Sequence, residues 1–201
     1  MNNLIFNYVS HETISSFEAF ITLIKKWNRK TGLVQVDTLD AIWDRHILDS
    51  LQIIPFIGSK DNQILDIGTG GGFPGILLAI AGFTKIELCE SNIRKTVFLT
   101  EAVRELKLPT KVIHDRVENI STQYDVIVSR ACASLELLLQ YMKNVSRETG
   151  TTGVFLKGKT ASEEIDTALE KWDFDYDLFP SITAKDSKII VVRNLKGKGN
   201  K

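Results

Sequence analysis

The sequence predicts an α/β fold, a mostly parallel sheet covered by helices and preceded by a helical extension. Three observations predict it. Short apolar runs alternate with segments of helical periodicity from residue 63 onward, the pattern of a parallel sheet with crossover helices. The first run, Ile64-Leu65-Asp66-Ile67, enters a glycine-dense turn from Gly68 to Gly72 and then Phe73-Pro74-Gly75. Strand, glycine turn and helix start form a ligand-binding corner at the carboxyl edge of such sheets. The last two strands have only a loop between them, which fits an antiparallel closing hairpin.

In the extension, residues 11–30 carry Ile14, Phe17, Ile21 and Ile24 at helical spacing, and Thr31-Gly32 ends this helix. Asp37 or Thr38 caps a predicted second helix with Leu39, Ile42, Ile47, Leu51 and Ile54 on its apolar side, stopping near Pro55 or Gly58. Seven strands are expected at about 63–67, 84–90, 111–114, 124–129, 151–157, 173–179 and 187–193. Helices are expected at about 74–82, 92–107, 134–147 and 160–171, with Pro74 at the first helical position. The expected organisation is a helical extension over 1–60, one ligand-binding domain over 61–195 and a disordered basic tail over 196–201.

Gly68 and Gly70 match the start of the dinucleotide fingerprint, but its third glycine is replaced by Phe73. Asp66 precedes the turn, where a carboxylate would repel phosphate. Both features argue against a nicotinamide oxidoreductase. An acid beside the turn suits a ligand with an amino group and no phosphate, such as S-adenosylmethionine (AdoMet), and D-x-G-x-G is similar to motif I of the class I methyltransferases. Glu90 ends the second strand about twenty residues on, where an acid can accept both ribose hydroxyls. After the third strand, backbone groups of Val117 and Glu118 are placed to read an adenine edge. The fourth strand leads into Arg130-Ala131-Cys132, the region that faces the methyl group and the acceptor. Cys132 is read as a small residue at a helix start rather than a nucleophile. Lys157-Gly158-Lys159 adds cations at the same edge.

Composition narrows the classes. The 201 residues are 43% hydrophobic and 25% charged, with 25 basic and 25 acidic side chains. Zero net charge is not the footprint of a strong nonspecific nucleic-acid binder. Basic groups nevertheless cluster at Lys25, Lys26, Arg29 and Lys30, and six bases lie between Lys185 and Lys201. Two cysteines without C-x-x-C spacing and three scattered histidines predict no metal site. An N-terminus without an apolar signal region, and no membrane-length apolar run, predict a cytoplasmic protein.

Taken in order, Trp27-Asn28, Arg45 to Leu51, Asp66 to Gly75, Arg94-Lys95 with Phe98-Leu99, Arg116-Val117-Glu118, Ser129-Arg130-Ala131 and Lys157-Gly158 closely resemble the ribosomal small-subunit methyltransferase G family, also called glucose-inhibited division protein B. The resemblance runs from about Trp27 to Gly158. It implies a class I AdoMet-dependent methyltransferase fold, Rossmann-like, and methylation of guanine N7 in the decoding-region hairpin loop of 16S rRNA, with the small ribosomal subunit as partner. It carries AdoMet contacts to Gly68, Phe73, Val117, Glu118 and Arg130, with Phe73 as an apolar wall for the cofactor. Guanine N7 has a lone pair and no proton, so no general base is required. Arg130 and Lys157 are expected to orient guanine or phosphate, with Arg130 engaging O6 because a donor on N7 would block attack. Arg94, Lys95, the Lys25–Arg29 cluster and Lys188 to Lys198 are candidates for rRNA backbone contact. His46, Asp49 and Ser50 lie near one helical face and fit either RNA contact or packing on the cofactor domain. Another RNA or a small molecule as acceptor, and an RNA-binding protein without catalysis, remain as alternative readings. A monomer is the expected state.

Overall fold

The computed structural model describes residues 3–198. Short 3-10 turns precede α1 (Ile14–Thr31), whose buried Phe17, Phe20, Ile21 and Ile24 form one stripe. Gly32 ends α1 in the left-handed conformation (φ 61°). Asn28 then pins the following loop. Its Oδ1 accepts from the Leu33 and Val34 amides, and its Nδ2 donates to the Val34 carbonyl.

The predicted second helix is not continuous. A 3-10 turn at Val36–Thr38 is followed by a π-helical turn at Trp43–Leu48 that runs into α2 (Asp49–Leu51), and α3 (Ile54–Ile57) follows after a break. Wider winding accommodates an extra residue per turn. Ile47, Leu48 and Leu51 stay buried, while His46 and Asp49 both reach Arg130 on the sheet. The break has a local cause: the Gln52 side chain donates to the Asp49 carbonyl and carboxylate, and Pro55 has no amide to donate.

The sheet then builds as β1 (Ile64–Ile67), α4 (Gly75–Ile80), β2 (Ile86–Glu90), α5 (Ile93–Glu105), β3 (Thr110–His114), β4 (Val126–Arg130), α6 (Leu135–Val145), β5 (Thr152–Lys157), α7 (Ala161–Lys171), β6 (Trp172–Pro180) and β7 (Lys188–Gly197). Strand order is β3-β2-β1-β4-β5-β7-β6. β7 pairs antiparallel with both β5 and β6, as the hairpin reading expects. The chain order reverses between β1 and β4, which opens a crevice at their carboxyl ends.

Strand alternation supplies two cores. Ile64, Val126, Val128, Val154 and Val191 face the layer of α1, α4, α5 and the N-terminal helices. Leu65, Ile127, Phe155, Ile190 and Val192 face α6 and α7. The N-terminal segment is therefore part of one covering layer of the sheet.

Two boundaries differ from the expectation. Pro74 is the N-cap of α4 rather than its first residue, and the helix ends at Ile80 because Gly82 turns back with φ +97°. β7 continues to Gly197, so Lys196 and Gly197 of the expected tail are strand residues paired with β6, and the Lys198 amide donates to the Lys171 carbonyl. The rest of that tail, residues 199–201, lies outside the described residues.

Candidate functional site: two cavities joined at Ala131

The glycine turn is shaped by Asp66. Its carboxyl is fully buried, and Oδ2 accepts from the Thr69 hydroxyl (2.6 Å) and the Gly75 amide (2.8 Å). Burial pushes its pKa up to about 7. Asp66 lines no cavity at this edge. It fixes the turn from below, and its Oδ1 is buried without a hydrogen-bond partner.

Gly75 carries the close strand–helix packing that the dinucleotide fingerprint assigns to its third glycine. A Cβ there would lie 2.2 Å from Leu88 Cδ2 and 2.7 Å from Asp66 Oδ2. Gly75→Ala is expected to lower stability by roughly 2–3 kcal/mol, the upper part of the overpacking range, as a drop in urea midpoint. A midpoint within error of the parent would contradict this packing.

Gly68 is required twice. Its φ is +63°, and a Cβ would fall 2.2 Å from Cys132 Sγ. The loop after β4 therefore lies directly on the glycine turn. Burial raises the Cys132 thiol pKa, with the Asp66 charge adding to it. A raised thiol pKa beside Gly68 fits the small-residue reading better than a nucleophile.

A cavity of about 280 Å³ opens here, lined by Gly68, Glu90, Val117, Glu118, Cys132 and Tyr141 among others. Glu90 holds its rim together: Oε2 accepts from the Gly70 amide (3.0 Å) and Oε1 from the Asn92 amide (2.8 Å). Each oxygen keeps a further lone pair for a ligand. Acids in the lining (Glu90, Asp115, Glu118) outnumber bases (Lys95, Arg116). That balance favours a cationic ligand over a pyrophosphate. Tyr141, from α6, is a wall residue that sequence reasoning missed; within the apolar spacing of α6 it looks like any other packing aromatic.

A second cavity, of about 440 Å³, is lined by Arg45, His46, Arg130, Lys157, Thr183 and Lys188 among others. The two cavities share Ala131. Ala131 has φ +52°, a conformation uncommon for a residue with a Cβ. This twist separates its neighbours, so that Arg130 lines the second cavity and Cys132 the first.

Arg130 is held on three sides. Nη1 donates to the Arg45 carbonyl and to Asp49 Oδ2, both at 3.0 Å, and Nη2 bonds His46 Nδ1 at 2.9 Å. Burial and the neighbouring Arg130 and Arg45 charges lower the His46 pKa to about 4. A neutral His46 accepts at Nδ1, which puts its proton on Nε2, 2.7 Å from the Thr38 hydroxyl oxygen. Phe73 supports this group. Its ring is buried, 4.9 Å from the guanidinium carbon and 5.1 Å centroid to centroid from His46. Phe73 thus backs Arg130 and His46 from beside the glycine turn. Arg130 lines the second cavity, one residue from Ala131, which lines both.

Lys157 is also committed, donating to the Ala133 carbonyl and pairing with Glu164, both at 2.6 Å. The residues of the predicted helical face are bonded within the protein. Asp49 bonds Arg130, Gln52 and Thr183, His46 bonds Arg130 and Thr38, and Ser50 is fully buried.

The two shifted groups have opposite linkage. Asp66 ionises freely when unfolded (3.8) but only near 7 when folded, so its contribution falls as pH rises from about 4 to 7. His46 takes a proton near 6.5 unfolded but near 4 folded, so its contribution falls as pH drops from about 6.5 to 4. Relative to the parent, Asp66→Asn is expected to lose ground as pH falls through this window, and His46→Gln to gain. Denaturation midpoints across pH 4–7 that run parallel for all three proteins would contradict the two assignments.

Among the described residues no helix is long and apolar enough to cross a membrane, and no group of three or more potential metal ligands is present.

Comparison with known proteins identifies the family and the fold. Residues 13–191 match the family described as rRNA small subunit methyltransferase G. Relatives named ribosomal RNA small subunit methyltransferase G from Rickettsia prowazekii and Rickettsia akari are 41% and 40% identical, over 93% of this chain and 97% of each relative. Among solved structures, a SAM-dependent methyltransferase from Aquifex aeolicus superposes with a TM-score of 0.59 at 14% identity, over 76% of this chain and 92% of that one. A putative S-adenosylmethionine-dependent methyltransferase from Methanococcus maripaludis gives 0.59 at 15% identity, over 78% and 90%. These structural likenesses establish the class I methyltransferase fold. With the family match spanning the glycine turn, Arg130 and Lys157 alike, the chain belongs to the rRNA small subunit methyltransferase G family.

Proposed function

We propose that the protein transfers a methyl group from AdoMet to N7 of a guanine in the decoding-region hairpin loop of 16S rRNA. The observation that carries this reading is the meeting of two differently charged cavities at Ala131, in a chain of this family. The first cavity suits AdoMet: it is acid-rich, and Glu90 has lone pairs free for ribose hydroxyls. Val117 and Glu118 offer backbone groups for the adenine, and Tyr141 offers a ring. AdoMet supplies an electrophilic methyl group on a cationic sulfur.

The second cavity suits the nucleotide. A guanidinium has five N–H donors, and three of those of Arg130 are spent on Arg45, Asp49 and His46. The remaining two serve guanine O6 while N7 stays free to attack. Lys157 keeps one N–H for the same purpose. N7 carries no proton, so none has to be removed, and His46 stays neutral as a hydrogen-bond partner of Arg130. Rate enhancement then rests on positioning and fixed charge.

The test is incubation with labelled AdoMet and small subunits from cells lacking the modification, followed by separation of rRNA from ribosomal proteins. Label in 16S rRNA supports the reading. Label only in protein, or none, overturns it.

A further inference from the structure

The expected guanine and phosphate contacts, Arg130 and Lys157, have most of their donors committed within the protein. Their charges are also matched, Arg130 by Asp49 (3.0 Å) and Lys157 by Glu164 (2.6 Å). His46 is neutral. Two cations of the second cavity remain. Arg45 comes from the π-helical turn and Lys188 from the first residue of β7. Among the described residues neither side chain has an ion pair or hydrogen-bond partner. In a chain of zero net charge, this cavity keeps two unmatched positive charges. They come from segments more than 140 residues apart in sequence.

We infer that Arg45 and Lys188 form a two-sided clamp on the RNA phosphates flanking the target nucleotide; this rests on the reading of the protein as an rRNA methyltransferase. The clamp supplies the local charge that the balanced composition lacks. Phosphate contacts fix register without reading sequence, leaving the base to Arg130. The surroundings fit a nucleic-acid strand better than a free anion. Val36 and Ile182, 76% and 50% exposed, sit next in sequence to the lining residues Gln35, Ser181 and Thr183. They offer apolar faces to unstacked bases. The π-helical turn also ties the clamp to the methyl-transfer centre, because the Arg45 carbonyl accepts from Arg130.

The experiment measures binding of the AdoMet-loaded protein to unmodified small ribosomal subunits over a series of KCl concentrations. The proteins compared are the parent, Arg45→Gln, Lys188→Gln, the double variant, and Lys143→Gln on the exposed face of α6 as a control. Each lost phosphate contact releases fewer counterions, so log K against log [KCl] becomes shallower by about 0.7 per contact in single-stranded RNA. The expected result is that change in each single variant and about twice it in the double variant. Lys143→Gln should keep the parent slope, Arg45→Lys and Lys188→Arg should restore it, and AdoMet affinity should not move in any of them. Parent slopes in both glutamine variants, or failure of the charge-retaining variants to restore the slope, overturn the clamp. If the parent binds AdoMet but not the subunit, the rRNA reading falls and the clamp falls with it.

Discussion

Arg130→Ala is expected to reduce methyl transfer by roughly 10²- to 10³-fold, the usual effect of removing one preorganised charged donor from a reacting centre. The AdoMet dissociation constant, measured alongside, separates a role toward the acceptor from the expected cofactor contact, since Arg130 lines the second cavity next to the shared Ala131. The same substitution removes the common donor for the Arg45 carbonyl, Asp49 and His46. Asp49 retains Gln52 and Thr183, but His46 Nδ1 and the Arg45 carbonyl lose Arg130. With the Arg130 and Asp49 side chains only 15% and 17% exposed, the loss of stability is expected to be about 2–3 kcal/mol. It should concentrate in residues 36–57, as faster amide exchange there than in the sheet. Arg130→Lys keeps the charge but cannot span three acceptors, so it should restore part of the stability and little of the turnover. Turnover close to the parent in Arg130→Ala would remove Arg130 from the reaction.

Glu90→Ala is expected to weaken AdoMet binding by roughly 100-fold, equivalent to about 3 kcal/mol. Two losses add. The ribose loses a charged acceptor, and the Gly70 and Asn92 amides lose the carboxylate that holds the glycine turn to the start of α5. Glu90→Gln keeps the shape with a weaker acceptor, so its affinity should fall between the two. Calorimetric titration with AdoMet separates the three proteins. The RNA salt slope should not change in either variant, since Glu90 lines only the first cavity. Equal affinities in parent and alanine variant would contradict the placement of the cofactor.

The order of sheet elements was legible because each strand is a short apolar run and each helix carries its own period. The closing hairpin was legible from a missing helix between β6 and β7. The break in the second predicted helix was not. Its apolar spacing suits a continuous helix, and the π-helical turn is stabilised by Arg130, about 85 positions away in sequence. The same distance hid the role of Phe73. Beside the glycine turn it reads as a ligand wall, and nothing local announces that its ring also packs under a guanidinium that arrives from β4. Gly75 did leave a signal, a glycine directly after Pro74 at a helix start. It lies two residues beyond the third glycine of the dinucleotide pattern and so escapes that template. That Glu90, Val117 and Glu118 line one cavity was legible because strand ends at a parallel sheet edge converge whatever the side chains nearby. The pairing of Lys157 with Glu164 was not, since it depends on how α7 returns over the edge of β5.

On the proposed reading, the acid-lined and cation-lined cavities meeting at Ala131 bring AdoMet and one rRNA guanine together. The most direct test of that reading is to methylate unmodified small subunits with the purified protein, and then to map the 16S rRNA by strand cleavage specific for 7-methylguanine. The expected result is a single new cleavage at one guanine of the decoding-region hairpin loop, absent with Arg130→Ala. Label incorporated at another base, at an exocyclic amine or at several scattered guanines would contradict it.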